Sequence, residues 1–132
     1  MKDITWKYVK PLADEGCIAE YEILVGCSLP EDVRNAIRSY NGGRPSLKYY
    51  DLLEEKDKEF KSILSFNRSD VENVFACWPI DSSDKTLVPF AIDSAGNFFV
   101  VKDGKIHLWL HEQDRTVFVA DSFSAFLEKL HE

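Results

Sequence analysis

The chain has 132 residues, of which 45% are hydrophobic and 30% are charged, and its formal net charge is −7. This length and composition predict one globular domain over residues 1–132, and the negative charge argues against nucleic acid or an anionic membrane as a direct ligand. No apolar run approaches the roughly 20 residues that cross a bilayer, and the first residues lack the apolar core of a signal peptide, so we expect a cytoplasmic protein.

Two helices are predicted in the first third of the chain. The first runs from Ile18 to Val25, because its apolar residues recur every three to four positions, and Gly26 ends it. A second helix follows closely. Ser28 and Glu31 have the spacing of a capping box at its start.

The second helix is predicted to bury one face and to end at a glycine pair. Pro30 suits its first turn, where a missing N–H costs nothing. The buried face is predicted to hold Val33, Ile37 and Tyr40. Asn41-Gly42-Gly43 then ends the helix, since glycine adopts a left-handed cap easily.

The middle of the chain carries weaker signals. Residues 51–61 are highly charged and fit either a loop or a helix. Alternating apolar residues predict a strand near residues 62–67. Ser69 is predicted to cap a short helix that runs through Val74, and residues 75–80 are predicted to be extended.

The last third predicts a β-meander followed by a helix. Asp103-Gly104 is a strong hairpin signal, because a type I′ turn needs positive φ at both central residues. Asp121 or Ser122 is predicted to cap the final helix. This order of elements, with helices first, antiparallel strands next and a helix last, predicts an α+β fold. In that fold a central antiparallel sheet is flanked by helices. The predicted strands are 87–92, 98–102, 106–111 and 117–120, and the final helix is predicted to bury Phe123, Phe126, Leu127 and Leu130.

The motifs form no catalytic or metal-binding constellation. His111-Glu112 begins like the zinc signature H-E-x-x-H, but Arg115 stands where the second histidine is needed. His107 lies four residues before His111, which on a strand separates them by about 13 Å, too far for one metal ion. The three cysteines form no C-x-x-C pair and are predicted to be reduced thiols. We therefore expect no enzymatic activity, no metal and no cofactor.

One predicted strand presents an unusual polar and aromatic face. His107, Trp109 and His111 alternate with apolar residues along residues 106–111, so the three share one face. The apolar face is predicted to join the core. The other face has two interpretations: a recognition surface, or a solvated sheet face that Trp109 partly covers.

An ordered set of short motifs spans the chain. Leu29-Pro30 precedes a helix that ends in N-G-G-R-P at residues 41–45. P-F-A-I-D and then G-N follow within residues 89–97, and S-F-S-A-F-L lies at residues 122–127. Together, over about residues 15–130, these motifs resemble the SUKH superfamily, in the group named for fungal regulators of cell-wall assembly and killer-toxin resistance.

The resemblance implies an α+β fold without catalytic activity. Bacterial members are immunity proteins that bind and neutralise a cognate toxin domain, often a nuclease, whereas fungal members are interaction modules in cell-wall signalling. The sequence carries no disordered extension of the fungal kind, so we expect the immunity role. The alternative is a scaffold or regulatory protein-binding module without a toxin partner, and the oligomeric state is left open.

We expect the residues that bind such a partner to lie mainly at charged positions. A nuclease holds phosphates with basic residues, so an acidic inhibitor gains electrostatic steering toward it. The motif acids Glu22 and Asp93 are instead expected to be buried or to cap turns. For each remaining acid, an ordinary solvated surface is the alternative interpretation. The candidates are Glu54, Glu55, Asp57, Glu59, Asp70, Glu72, Asp81 and Asp84, together with the face of His107, Trp109 and His111.

Overall fold

The predicted meander forms the larger part of an antiparallel sheet in the computed structural model, which describes residues 3–132. Within those residues the strands are β1 (Trp6–Lys7), β2 (Arg44–Pro45), β3 (Tyr49–Tyr50), β4 (Lys58–Ile63), β5 (Val88–Asp93), β6 (Phe98–Lys102), β7 (Lys105–Leu110) and β8 (Arg115–Ala120). Strands β3 to β8 lie side by side in chain order, and β1 and β2 pair separately as a short ribbon. The mixed fold confirms the predicted α+β class.

Helices flank this sheet at both ends of the chain. In the described part of the chain they are α1 (Cys17–Val25), α2 (Glu31–Tyr40), α3 (Val74–Cys77) and α4 (Phe123–Lys129). None of the helices within residues 3–132 is long and apolar enough to cross a membrane.

The start of α2 differs from the predicted capping box. Pro30 occupies the N-cap position, and no side chain caps the helix. Ser28 is exposed two residues earlier. The carboxylate of Glu22 instead accepts a hydrogen bond from the Leu29 N–H at 2.6 Å, so a side chain from α1 satisfies the backbone in this region.

Tyr40 was predicted to join the buried face of α2, and this is wrong. Val33 and Ile37 are buried as predicted, but Tyr40 is exposed at the last position of the helix. Its ring stacks on Trp6 of β1, with centroids 4.7 Å apart. The two-stranded ribbon therefore covers only one side of the ring and leaves the other to solvent.

The middle of the chain differs from the prediction in three places. β4 begins at Lys58, earlier than the predicted strand near residues 62–67. The short helix is α3, and it starts four residues later than a Ser69 cap would place it. Asn73 caps it, accepting a hydrogen bond from the Ala76 N–H at 2.9 Å. Because α3 occupies Val74–Cys77, the extended segment predicted for residues 75–80 is also wrong over its first half.

Local signals at the end of the chain are confirmed. Asp103 and Gly104 have φ values of 53° and 75°, as a type I′ turn requires. Ser122 caps α4 and accepts a hydrogen bond from the Ala125 N–H at 3.0 Å. Leu127 is only half-buried, whereas the other three apolar residues predicted for this helix face are fully buried.

The main core lies between the helices and one face of the sheet. Phe126 of α4 stands at its centre, with ring centroids 5.3 Å from Tyr50, 5.3 Å from Phe60 and 5.4 Å from Phe99. All four rings are buried. A smaller cluster packs on the opposite face of the sheet, against the segment that connects α3 to β5.

Candidate functional site

Trp109 is not available to a partner, which corrects the proposed recognition face. Its side chain is 4% exposed and belongs to the smaller cluster, where Ile80 and Leu87 cover it. The indole N–H donates a hydrogen bond to the Asp114 carboxylate at 2.9 Å. The connecting segment between α3 and β5 crosses this face, and no pattern in the sequence predicts that it does.

The two histidines on that strand face different surroundings. His107 is half-buried against the ring of Phe118, and burial lowers the pKa of its imidazole. His111 is exposed and lies 3.2 Å from the carbonyl oxygen of Ala95. Together with the burial of Trp109, this arrangement leaves no continuous aromatic face along β7.

The acidic candidates occupy three separate places. Glu54, Glu55 and Asp57 lie in the loop before β4, and Glu59 lies on β4 itself. The second group, Asp70 and Glu72, follows β4, and the third, Asp81 and Asp84, lies in the segment before β5. No hydrogen bond or ion pair within residues 3–132 joins one group to another.

Two of these acids serve the fold directly. Asp70 accepts hydrogen bonds from the Ser65 hydroxyl and the Asn67 amide, which hold the loop after β4. Asp84 accepts from the hydroxyl and the backbone N–H of Thr86 and pairs with Lys102 at 3.0 Å. Those bonds, led by the one from the Thr86 hydroxyl, lower the pKa of Asp84 to about 2. Both carboxylates are therefore largely occupied by hydrogen bonds and ion pairs within the molecule.

The loops on either side of β4 share a feature that sequence reasoning missed. Leu53 is 98% exposed beside Glu54 and Glu55, and Val71 is 97% exposed between Asp70 and Glu72. Aliphatic side chains are usually buried in a core, so nothing in the sequence predicts that these two are exposed to water. Each of these loops thus presents one apolar side chain with carboxylates directly beside it. We call residues 51–57 and 69–72 the β4 loops.

Hydrogen bonds hold the β4 loops in fixed shapes. In the first, the Asp57 N–H donates to the Asp51 carboxylate at 2.8 Å, and the Leu52 N–H donates to the Glu55 carbonyl at 2.7 Å. In the second, the Glu72 carbonyl accepts from the Ser65 N–H at 3.0 Å. A loop that is already ordered loses less entropy when a partner binds.

Ion pairs tie one carboxylate of each β4 loop to the strand. Glu55 pairs with Lys58 at 3.2 Å, and Glu72 pairs with Lys61 at 2.9 Å. Glu54 makes no such contact within residues 3–132 and is exposed. Its carboxylate therefore faces solvent near the middle of the first loop.

One group of side chains has the spacing of a metal site. Asp51, Asp57 and His131 place one ligand atom each within 4.8 Å of one another, and they are the one such trio in the described part of the chain. Hydrogen bonds to the Glu132 carbonyl and the Asp51 carboxylate raise the pKa of His131. Its imidazole lies 3.2 Å from the Asp51 carboxylate and 3.6 Å from that of Asp57, so these contacts account for the cluster without a metal ion.

The remaining groups that could carry chemistry are weakly reactive or bonded within the fold. Cys17 is buried, Cys77 is half-buried and Cys27 is exposed. Desolvation raises the pKa of each thiol, which keeps it protonated and weakly nucleophilic. Asp93 is buried and accepts from the N–H groups of Ala95 and Asn97, which confirms its expected role in a turn. Glu22 likewise binds the Leu29 N–H and Arg34.

Comparison with protein families finds a match over most of the chain. A family model described as the SMI1 / KNR4 family (SUKH-1) matches residues 12–129, nearly the whole chain. No curated protein matches the sequence.

Proposed function

The chain belongs to the SMI1 / KNR4 family (SUKH-1), and we propose that it is an immunity protein that binds and neutralises one toxin domain of a bacterial polymorphic toxin system. The observation that carries this proposal is the family match over residues 12–129. The resemblance drawn from the motifs points the same way, since bacterial members of the superfamily act by binding a toxin rather than by catalysis.

The thiols are protonated and the buried carboxylate is hydrogen-bonded, and this state of the groups supports a role without catalysis. A catalytic centre needs a nucleophile or acid–base pair with a shifted pKa in an accessible cleft. Here the thiols are protonated, and the buried carboxylate of Asp93 is used by backbone N–H groups of its own turn. Binding is the function that this arrangement favours.

The β4 loops are the surface that we propose for the toxin. Leu53 and Val71 supply exposed apolar anchors, and the neighbouring carboxylates supply negative charge. A toxin domain that cleaves nucleic acid must present basic residues to hold phosphates, so it would be drawn to these loops. We therefore propose a basic toxin domain, such as a nuclease, as the partner.

The test measures binding of the toxin domain encoded next to this chain's gene, in an inactive form, by stopped-flow fluorescence. From about 0.01 M to about 0.15 M salt the Debye length falls from about 30 Å to about 8 Å, so association should slow steeply while dissociation changes little. Glu54→Lys with Glu55→Lys should slow association by about tenfold or more at low salt. Leu53→Ala should instead speed dissociation by about tenfold.

The matched control reverses two exposed acids outside the β4 loops, Glu112→Lys with Glu128→Lys, and changes the net charge by the same amount. Equal slowing in both double variants would contradict binding at the β4 loops. Association that does not depend on salt would contradict the electrostatic mechanism. Tight binding that leaves the toxin active would favour the alternative, a scaffold or regulatory module.

A further inference from the structure

A positively charged groove lies between the β1–β2 ribbon and β4 of this acidic protein. Its volume is about 450 Å³. The groove follows residues 43–48, which contain β2 and lead to β3. This segment is held to β4 by hydrogen bonds from the Phe60 N–H to the Lys48 carbonyl and from the Ile63 N–H to the Gly43 carbonyl. Four cationic side chains line it: Lys7, Arg44, Lys48 and Lys61.

Most of this positive charge is not neutralised. Lys61 pairs with Glu72, but no carboxylate within residues 3–132 lies in ion-pair distance of Lys7, Arg44 or Lys48. Arg44 lies over the ring of Tyr8, 5.5 Å from its centroid, and Lys48 lies 5.4 Å from that of Tyr49. A chain with a net charge of −7 thus leaves three cations together without acidic partners, although acids are abundant elsewhere.

Tyr8 adds an exposed aromatic side chain, carried on a strained backbone, to the same groove. Its φ is 61°, a left-handed conformation that bulky residues rarely adopt, and its side chain is 69% exposed. Packing gives no reason for an exposed tyrosine at this position. Such backbone outliers concentrate where a protein binds something.

The floor of the groove is shaped by an irregularity in β4. The pairing of β4 with β5 shifts register between Phe60 and Ser62, which leaves Lys61 out of the regular ladder. Pro45 and Phe60 lie buried beneath the groove, and Glu59 supplies one carboxylate, which accepts a hydrogen bond from the Ser94 hydroxyl at 2.7 Å.

We propose that this groove binds an extended acidic segment of a protein partner. Lys7, Arg44 and Lys48 would pair with its carboxylates, and Tyr8 would pack on its aliphatic stems. The carboxylate of Glu59 favours a peptide over a phosphate polymer, because a peptide offers backbone N–H donors and a phosphate backbone does not. The proposal goes beyond toxin neutralisation, since it concerns a second surface of opposite charge and needs no toxin for its test.

The test uses an octaglutamate peptide with a zwitterionic rhodamine label, whose binding to the full chain is followed by fluorescence anisotropy at low salt. Lys7→Glu with Arg44→Glu should weaken binding by about tenfold or more, because two attractions become repulsions. Arg38→Glu with Lys85→Glu, two exposed cations outside the groove, makes the same change in net charge and should weaken binding by less than about threefold.

Tyr8→Gly separates binding from folding. Glycine relieves the positive φ, so the unfolding midpoint should stay or rise while peptide affinity falls. Equal weakening by the two double variants would overturn the proposal, as would no anisotropy change at millimolar protein. Tighter binding of an oligothymidylate of the same length would also overturn it, by assigning the groove to phosphates.

Discussion

Replacing Phe126 by alanine tests the packing on which the whole fold depends. The ring is fully buried at the centre of the main core, where α4 meets the sheet. Three aromatic rings, those of Tyr50, Phe60 and Phe99, have centroids within 5.4 Å of it. Phe126→Ala therefore removes a side chain that packs on the edge strand β3 and on the inner strands β4 and β6 at once.

The expected cost follows from the buried area. An aromatic side chain buries roughly 150–250 Å², which at about 25 cal/mol per Å² corresponds to about 4–6 kcal/mol, and alanine retains part of that. Truncations of buried phenylalanine cost about 3–5 kcal/mol, so we expect a loss in that range. For a chain of this length the unfolding midpoint should fall by roughly 10 °C or more.

Urea and thermal unfolding, followed by circular dichroism, measure this loss. Phe118→Ala is the control, because Phe118 is exposed and its truncation should cost less than about 1 kcal/mol. If Phe126→Ala and Phe118→Ala lowered the free energy of unfolding equally, α4 would not be packed on the sheet as described.

Four further results are expected. Tyr50→Phe should leave the free energy of unfolding unchanged or raise it by up to about 1 kcal/mol, because the buried Tyr50 hydroxyl has no hydrogen-bond partner; a clear loss in urea titrations would contradict this. Ser122→Ala should cost about 1 kcal/mol in the same titrations, since it removes the cap bond from Ala125. The pKa of His131 is raised, so its pairing with Asp51 stabilises the fold fully below about pH 6.5 and is lost as pH rises through the raised value. Thermal scans from about pH 6 to about pH 9 should therefore show a larger fall in the parent than in His131→Gln, and parallel curves would refute the pairing. Chelator should leave the unfolding midpoint unchanged, whereas a shift of several degrees would reveal a metal site.

Features set by neighbouring residues could be predicted from the sequence. Asp103-Gly104 requires a particular turn, and that turn fixes the pairing of the strands on either side. Ser122 caps the residues directly after it. Asp93 accepts bonds from the N–H groups two and four residues later, so its role in a turn is local as well.

Features set by distant contacts could not be predicted. Ser69 and Asn73 both suit a helix cap, and the choice depends on bonds from the Asn73 amide to the carbonyl of Asp70 within a folded loop. Trp109 is buried because the segment between α3 and β5 packs across its face of the sheet. Leu53 looks like a core residue by its chemistry, and only the packed structure reveals that it has no core to enter.

Protection of cells from the toxin domain encoded beside this chain's gene tests the immunity role most directly. Cells that express the active toxin domain should stop growing, and co-expression of this chain should restore growth. The variant with Glu54→Lys, Glu55→Lys and Leu53→Ala should restore it poorly, while Glu112→Lys with Glu128→Lys should protect like the parent. If cells died equally with and without the folded parent chain, this chain would not be the immunity protein for that toxin domain.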